Sequence, residues 1–281
     1  MDIKHLLKTP PHEWPESAGK ILLEPLIDKQ ADPDDRLLAA ELAGELVAMN
    51  DELAGALVGI VCKGDEPEDL RATAAIALGP VLEQGDTELL DGEEFDDPEN
   101  VPISLETFRN IQDSLRKVYL DESNPKKVRR KVLEGSVRAH QEWHLDAIKA
   151  AYSSRDKDWV LTAVFAMGYV RGFEDQILAS LDNADPGIHF QAIRAAGNWE
   201  LDAAWPHVVE LVKNPATPKP LLMAAIEAVG SIRPKEAGEI LADLAYSRDE
   251  DIAAAADEAM AMAQAMSEEA GDEEDGQDWI N

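Results

Sequence analysis

The chain is poor in cysteine, in aromatic residues and in positive charge, and each shortage removes a class of protein. The single Cys62 excludes an internal disulfide framework and any Cys-x-x-Cys motif. It ends the apolar run "LAGALVGIVC" (Leu53 to Cys62), where it is expected as a small core residue rather than a nucleophile. No apolar run exceeds that one, which falls well short of the roughly 20 residues that span a bilayer. The opening "MDIKHLLKTPPHEWP" carries no apolar stretch of signal-peptide length, so a cytoplasmic protein is expected. Aromatics make up 5% of the chain against 45% hydrophobic residues in all, a mixture that favours packed helices over sheets. Bases number 26 against 57 acids, and the net charge of −31 repels phosphate backbones and anionic membranes alike. No nucleic-acid or membrane partner is therefore expected. The surplus acid serves solubility or salt adaptation on one reading and a basic partner on the other. GxSxG, P-loop and GxGxxG motifs are absent.

What the chain has in their place is self-similarity. "LRATAAIALG" ends at Gly79, "VLTAVFAMG" at Gly168, "HFQAIRAAG" at Gly197 and "LLMAAIEAVG" at Gly230. If slot zero is the residue eight before that glycine, slots three and six are alanines: 74 and 77, 163 and 166, 192 and 195, 225 and 228. The same ruler fits "RLLAAELAG" (Arg36 to Gly44), "RRKVLEGSV" (Arg129 to Val137) and "AAAADEAMA" (Ala253 to Ala261). Slot zero then falls at 36, 71, 129, 160, 189, 222 and 253, with one long gap of 58 residues after Arg71. Small residues at helical spacing let neighbouring helices approach closely. Pro33, Pro67, Pro125, Pro186 and Pro218 lie in the turns before five of these segments, where a missing N–H costs nothing. A second amphipathic segment precedes each turn, from "ILLEPLIDKQ" to "EAGEILADLA". The expectation is an all-α chain of about seven helix pairs, each covering the apolar face of the next.

The stretch "LLEPLIDKQADPDDRLLAAELAG" (Leu22 to Gly44) resembles a HEAT repeat, of the short form also seen in phycobilisome-lyase-like proteins (PBS lyase HEAT-like). Pro25 and Pro206 match that family's first-helix proline, Asp32 and Asp185 its turn aspartate, and Arg36, Arg71 and Arg129 its second-helix arginine. Later repeats place Val160, His189, Leu222 and Ala253 at slot zero, so an Arg–Asp ladder is expected to be incomplete there. The resemblance covers about residues 15–265 and leaves an N-terminal segment, 1–14, and a tail, 266–281. It implies an α-solenoid, wound as a right-handed superhelix, with the second helices on its concave side.

The long gap holds an acidic insertion, 83–103, with nine acids and no base between Glu83 and Pro102, expected as a flexible loop. A basic stretch follows: Arg109, Arg116, Lys117, Lys126, Lys127, Arg129, Arg130, Lys131 and Arg138. It is a patch for phosphate or acid, a set of charges neutralised by the neighbouring acidic loop and surface, or a plain solvated face. The tail 266–281 has the composition of a disordered segment and ends in Trp279 and Ile280, which either dock in an apolar groove or cap a solubilising tail.

Two places invite a chemical reading. In "RAHQEWHLDAIKAA" (Arg138 to Ala151), His140 and His144 flank Glu142 at a spacing that would share one helix face and could hold a metal. The ruler places Val137 at slot eight, so His140 falls in the loop between repeats and His144 opens the next helix; neither a metal nor a cofactor is expected. His12-Glu13 is the single His-Glu pair, whereas HEAT-like deoxyhypusine hydroxylases build a di-iron site from several. The second place is aromatic: nine of fifteen aromatic residues lie between Trp143 and Trp205. Slot five reads Glu41, Ile76, Glu134, Phe165, Arg194, Glu227 and Glu258, mostly polar and therefore expected to face solvent. Slot nine supplies Tyr169 and Asn198, with Trp199 beside the latter. Aromatic and arginine residues in mid-groove are what binding hot spots favour. Phe165, Tyr169, Arg194, Asn198 and Trp199 are the candidate binding residues, and no catalytic residue is assigned. The function expected is that of a non-enzymatic scaffold or adaptor for a protein or peptide, basic if the charge is the guide. The type of repeat alone suggests the alternative of an accessory bilin lyase-isomerase.

Overall fold

The computed structural model describes residues 2–91 and 101–276, without the side chains of 90–91 and 268–276. Its helices are α1 (Ile3–Leu6), α2 (Ala18–Ile27), α3 (Pro33–Leu42), α4 (Asp51–Cys62), α5 (Glu68–Ala77), α6 (Gly79–Asp91), α7 (Leu105–Leu120) and α8 (Lys126–Ser136). They continue with α9 (Trp143–Ser153), α10 (Lys157–Met167), α11 (Glu174–Ser180), α12 (Pro186–Asn198), α13 (Trp205–Lys213), α14 (Lys219–Ile232), α15 (Pro234–Leu241) and α16 (Glu250–Gly276). There is no strand among the described residues, and the chain divides into two compact units, Met1–Ala147 and Ile148–Asn281.

Local sequence explains where the helices begin. The Asp185 carboxylate accepts from the amides of Gly187 (2.9 Å) and Ile188 (3.1 Å), and Pro186 fills the first helical position, so two of the helix's free donors are met and a third never exists. Asp32 and Asp156 cap α3 and α10 in the same way. At α5, α8 and α14 the cap position itself is a proline, held in the extended conformation that precedes a helix.

Tertiary packing then uses the ruler. Slot three is fully buried at every repeat: Ala39, Ala74, Val132, Ala163, Ala192, Ala225 and Ala256. In the N-terminal unit α3 packs on α5 and α5 on α8, while α2, α4 and α7 cover them. In the C-terminal unit α10, α12, α14 and α16 pack in succession, and α11, α13 and α15 lie against the second helices of their repeats. Slot eight of one helix faces slot six of the next. A Cβ at Gly197 would stand 3.1 Å from the Ala228 Cα, and one at Gly230 3.0 Å from the Ala259 carbonyl oxygen. Larger side chains on the first helices fill the remaining space; Leu53, Leu57, Phe108, Ile111 and Leu115 are almost wholly buried, each stabilising the unit by about 1.5–3 kcal/mol.

Slot zero of the N-terminal unit ties each pair together. Arg36 donates to the Leu26 carbonyl (3.2 Å), Arg71 to that of Val61 (2.9 Å) and Arg129 to that of Tyr119 (2.8 Å), each ten residues back at the end of the preceding helix. Two of them also reach the next repeat, Arg36 to Glu66 (2.8 Å) and Arg71 to Asn124 (2.6 Å). The ladder is therefore built on carbonyls, a glutamate and an asparagine, because Asp32 is committed to its helix cap.

Four expectations need correction. Residues 83–91 of the insertion continue α6 and are not a loop: a turn after α5, the apolar Val81 and Leu82 bury completely and carry the helix onward. Residues 92–100 lie outside the described residues. In the tail, α16 runs to Gly276, so 266–276 are helical in place of the unstructured segment expected; Trp279 and Ile280 lie outside the described residues. Cys62 is exposed at the end of α4 rather than in the core, and desolvation of its thiol still raises its pKa, against a hydrogen bond with Ser114. Glu134, expected in solvent at slot five, is buried with its carboxylate on Lys131 (2.5 Å) and near Arg130 (3.8 Å).

Candidate binding groove

The candidate residues of the C-terminal unit arise from the contact of α10 with α12. Phe165 is the slot-five residue of α10 and Tyr169 lies just beyond its end, one turn on. Their rings meet at 5.3 Å between centroids, tilted by 44°, and both are half-buried. Across from them α12 presents Arg194 and Asn198, both exposed. Gly168 and the small Ala195 between these residues keep the two backbones close: a Cβ on Gly168 would lie 3.7 Å from the Ala195 Cα. Phe165, Tyr169, Arg194 and Asn198 thus line one depression, together with Gln191. Its enclosed space is about 10 Å³, room for a single water molecule. Small-molecule sites run to hundreds of cubic ångströms, so this floor suits contact with a surface or a chain rather than a swallowed ligand.

Two of the five candidates also hold the fold. The Asn198 amide donates to the Gly168 carbonyl (3.2 Å), and the Trp199 indole N–H to that of Met167 (2.6 Å). Both close the carboxyl end of α10, whose last carbonyls lack partners within the helix. Trp199 does not line the depression; its ring carries the Arg171 guanidinium 4.3 Å above it. Sequence reasoning missed Gln191 and Arg171. Gln191 sits three residues before Arg194, hence on the same face of α12, and spacing would have found it. Arg171 follows the helix end in a loop, and no periodicity reaches it.

The same row continues outward as Glu227 on α14 and Glu258 on α16, both exposed at slot five. The C-terminal unit thus presents, along one stripe, an aromatic pair, a cation with two amides, and then two carboxylates.

The basic stretch of the N-terminal unit is largely paired. Arg138 meets Glu83 at 2.6 Å and Lys127 meets Asp69 at 2.6 Å, while Arg129 lies over the Tyr119 ring at 5.4 Å. With Arg130 and Lys131 on Glu134, four of the nine bases stand against local acid.

His140 and His144 are not a metal pair. His140 is exposed ahead of α9, whereas His144 is fully buried in its first turn. The His144 Nδ1 accepts the Gln141 amide (2.9 Å), so Nε2 carries the proton and donates to the Ser136 hydroxyl at 3.0 Å. Burial, and secondarily His140, lower its pKa to about 3. Both ring nitrogens are spent on a neutral structural imidazole. His12 and Glu13 are exposed, 3.8 Å apart, and no group of three or more His, Cys, Asp or Glu residues suited to a metal occurs among the described residues. No described helix is long and apolar enough to cross a membrane.

No protein-family model matches the chain, and no curated protein matches it in sequence. Among solved structures it is similar to the X-ray structure of YibA of E. coli, at 15% identity over 89% of this chain and 83% of that one, with a TM-score of 0.44. It is also similar to an engineered protein, at 16% identity over 89% and 97% with a TM-score of 0.35. Human deoxyhypusine hydroxylase in complex with glycerol is a further match, at 15% identity over 89% and 96% with a TM-score of 0.38.

Proposed function

We propose that the protein is a non-enzymatic scaffold: a HEAT-like α-solenoid of seven helix pairs, in the right-handed form the resemblance implies, that binds a protein or peptide on its second-helix row. The observation that carries this is the depression of Phe165, Tyr169, Gln191, Arg194 and Asn198, exposed at its polar side, aromatic at its floor and too small for an enclosed ligand. In such a site the aromatic pair takes an apolar or cationic side chain, and Arg194 and Gln191 take main-chain carbonyls of the partner. Glu227 and Glu258, next along the row, favour basic residues in the following part of that partner. The net charge of −31 strengthens this preference at long range and makes association salt-dependent.

Peptide display on the full chain tests the reading. Selected peptides should carry an apolar or aromatic residue followed by Lys or Arg. Phe165→Ala and Arg194→Ala should each weaken them roughly 30-fold, as hot-spot truncations do, with helicity and melting midpoint retained. Peptides that bind both variants as tightly as the parent, or a variant that loses its fold, would overturn it.

A further inference from the structure

Slot zero carries the tie from one repeat to the next, as Arg36 and Arg71 show through Glu66 and Asn124. In α12 that slot is His189, and its tie is another imidazole. The His189 Nε2 stands 2.8 Å from the Nε2 of His207 on α13, with the rings edge-on at 69° and centroids 5.0 Å apart. Both rings are half-buried, which leaves the pair open to solvent on one side. Behind His207, the Asp182 carboxylate lies 3.8 Å from Nδ1. At that distance it makes no hydrogen bond, and the proton between the two Nε2 atoms is carried by one ring or the other.

We propose that His189 and His207 form a two-imidazole site for a divalent first-row transition ion, Cu²⁺ or Ni²⁺ ahead of Zn²⁺, with water completing the coordination. Two nitrogens about 2.0 Å from one ion stand about 2.9 Å apart in adjacent square-planar or octahedral positions and about 3.3 Å apart in a tetrahedral one. The 2.8 Å separation meets the first and falls short of the second. Binding turns both rings until their lone pairs converge, moves the shared Nε2 proton to the Nδ1 of the ring that carries it, and exchanges one imidazole hydrogen bond for two metal bonds. The strongly acidic chain raises the local concentration of divalent cations. With two protein ligands, the ion exchanges freely and fastens α12 to α13 when present.

The test titrates metal-free, full-length protein with Cu²⁺, followed by calorimetry and electron paramagnetic resonance. The expected result is one saturable equivalent with a two-nitrogen pattern, and weaker binding of Ni²⁺ and then Zn²⁺ in the Irving–Williams order. His189→Gln and His207→Gln should each weaken binding at least 10-fold and lose one nitrogen; Asp182→Asn should weaken it less, and His140→Gln not at all. Circular dichroism checks folding, and His207→Gln gives the same reading if His189→Gln loses helicity. Unchanged stoichiometry and nitrogen count in both histidine variants would overturn the proposal, as would binding that never saturates near one equivalent.

Discussion

The two units are built on one ruler and held together differently. In the N-terminal unit the slot-zero residues Arg36, Arg71 and Arg129 bridge helix ends with guanidinium groups, and Arg71 is only 2% exposed. In the C-terminal unit the same slot is Val160, His189, Leu222 and Ala253, and the joints rest on close contact between small residues such as Gly197 and Ala228. Polar ties persist there in other forms: Asn198 and Trp199 close the end of α10, and His189 meets His207 at 2.8 Å. A repeat can thus keep its packed joint while dispensing with the guanidinium bridge across it. Slot five, which in Glu134 of the N-terminal unit is tied up in a buried ion pair, carries available aromatic and cationic side chains on the C-terminal row.

The sharpest way to break this comparison is to add one methyl group at equivalent joints. A Cβ at Gly135 would overlap the Ala75 carbonyl oxygen, which is backbone and cannot step aside, whereas one at Gly197 meets Ala228 at 3.1–3.2 Å. Gly135→Ala should destabilise the N-terminal unit by about 3 kcal/mol and Gly197→Ala the other by about 1 kcal/mol, read by denaturant unfolding with hydrogen exchange to localise the effect. Next in size is Arg71→Met, which leaves the Val61 carbonyl and the Asn124 side-chain oxygen without their donor and should cost about 2–3 kcal/mol. Leu222→Met, at the same slot of the other unit, should cost under about 1.5 kcal/mol; equal losses would erase the distinction between the joints.

One further effect depends on pH. His144 has a folded pKa of about 3, below its ordinary 6.5, so the unfolded chain takes up this proton first. Its contribution is complete above pH 6.5 and is lost progressively as pH falls towards 3, about 2 kcal/mol of it by pH 5. His144→Gln should remove that part of the acid sensitivity in unfolding curves of the N-terminal unit. An unchanged slope between pH 7 and 5 would show that the imidazole is not buried neutral.

Much of this was legible in the sequence. The ruler located every second helix because a helix that must pass its neighbour closely favours small residues at slots three, six and eight, with Leu42, Val132 and Val137 the larger exceptions. It also drew Phe165, Tyr169, Arg194 and Asn198 onto one face and placed His140 outside the helix that His144 begins. Composition was the weaker guide: the acids from Glu83 to Asp91 were expected in a loop, yet Val81 and Leu82 anchor them in α6. Likewise Cys62 stands at the end of an apolar run but on the exposed side of its helix.

By itself, the sequence determined the helical class, the repeat length and the face each second helix turns inward, since these follow from spacing along a helix of fixed pitch. Only the tertiary structure decided which polar groups are spent on neighbouring helix ends and which remain exposed. That choice depends on the carbonyls, rings and carboxylates of segments ten to 58 residues away, brought within hydrogen-bond distance by packing that no local pattern encodes.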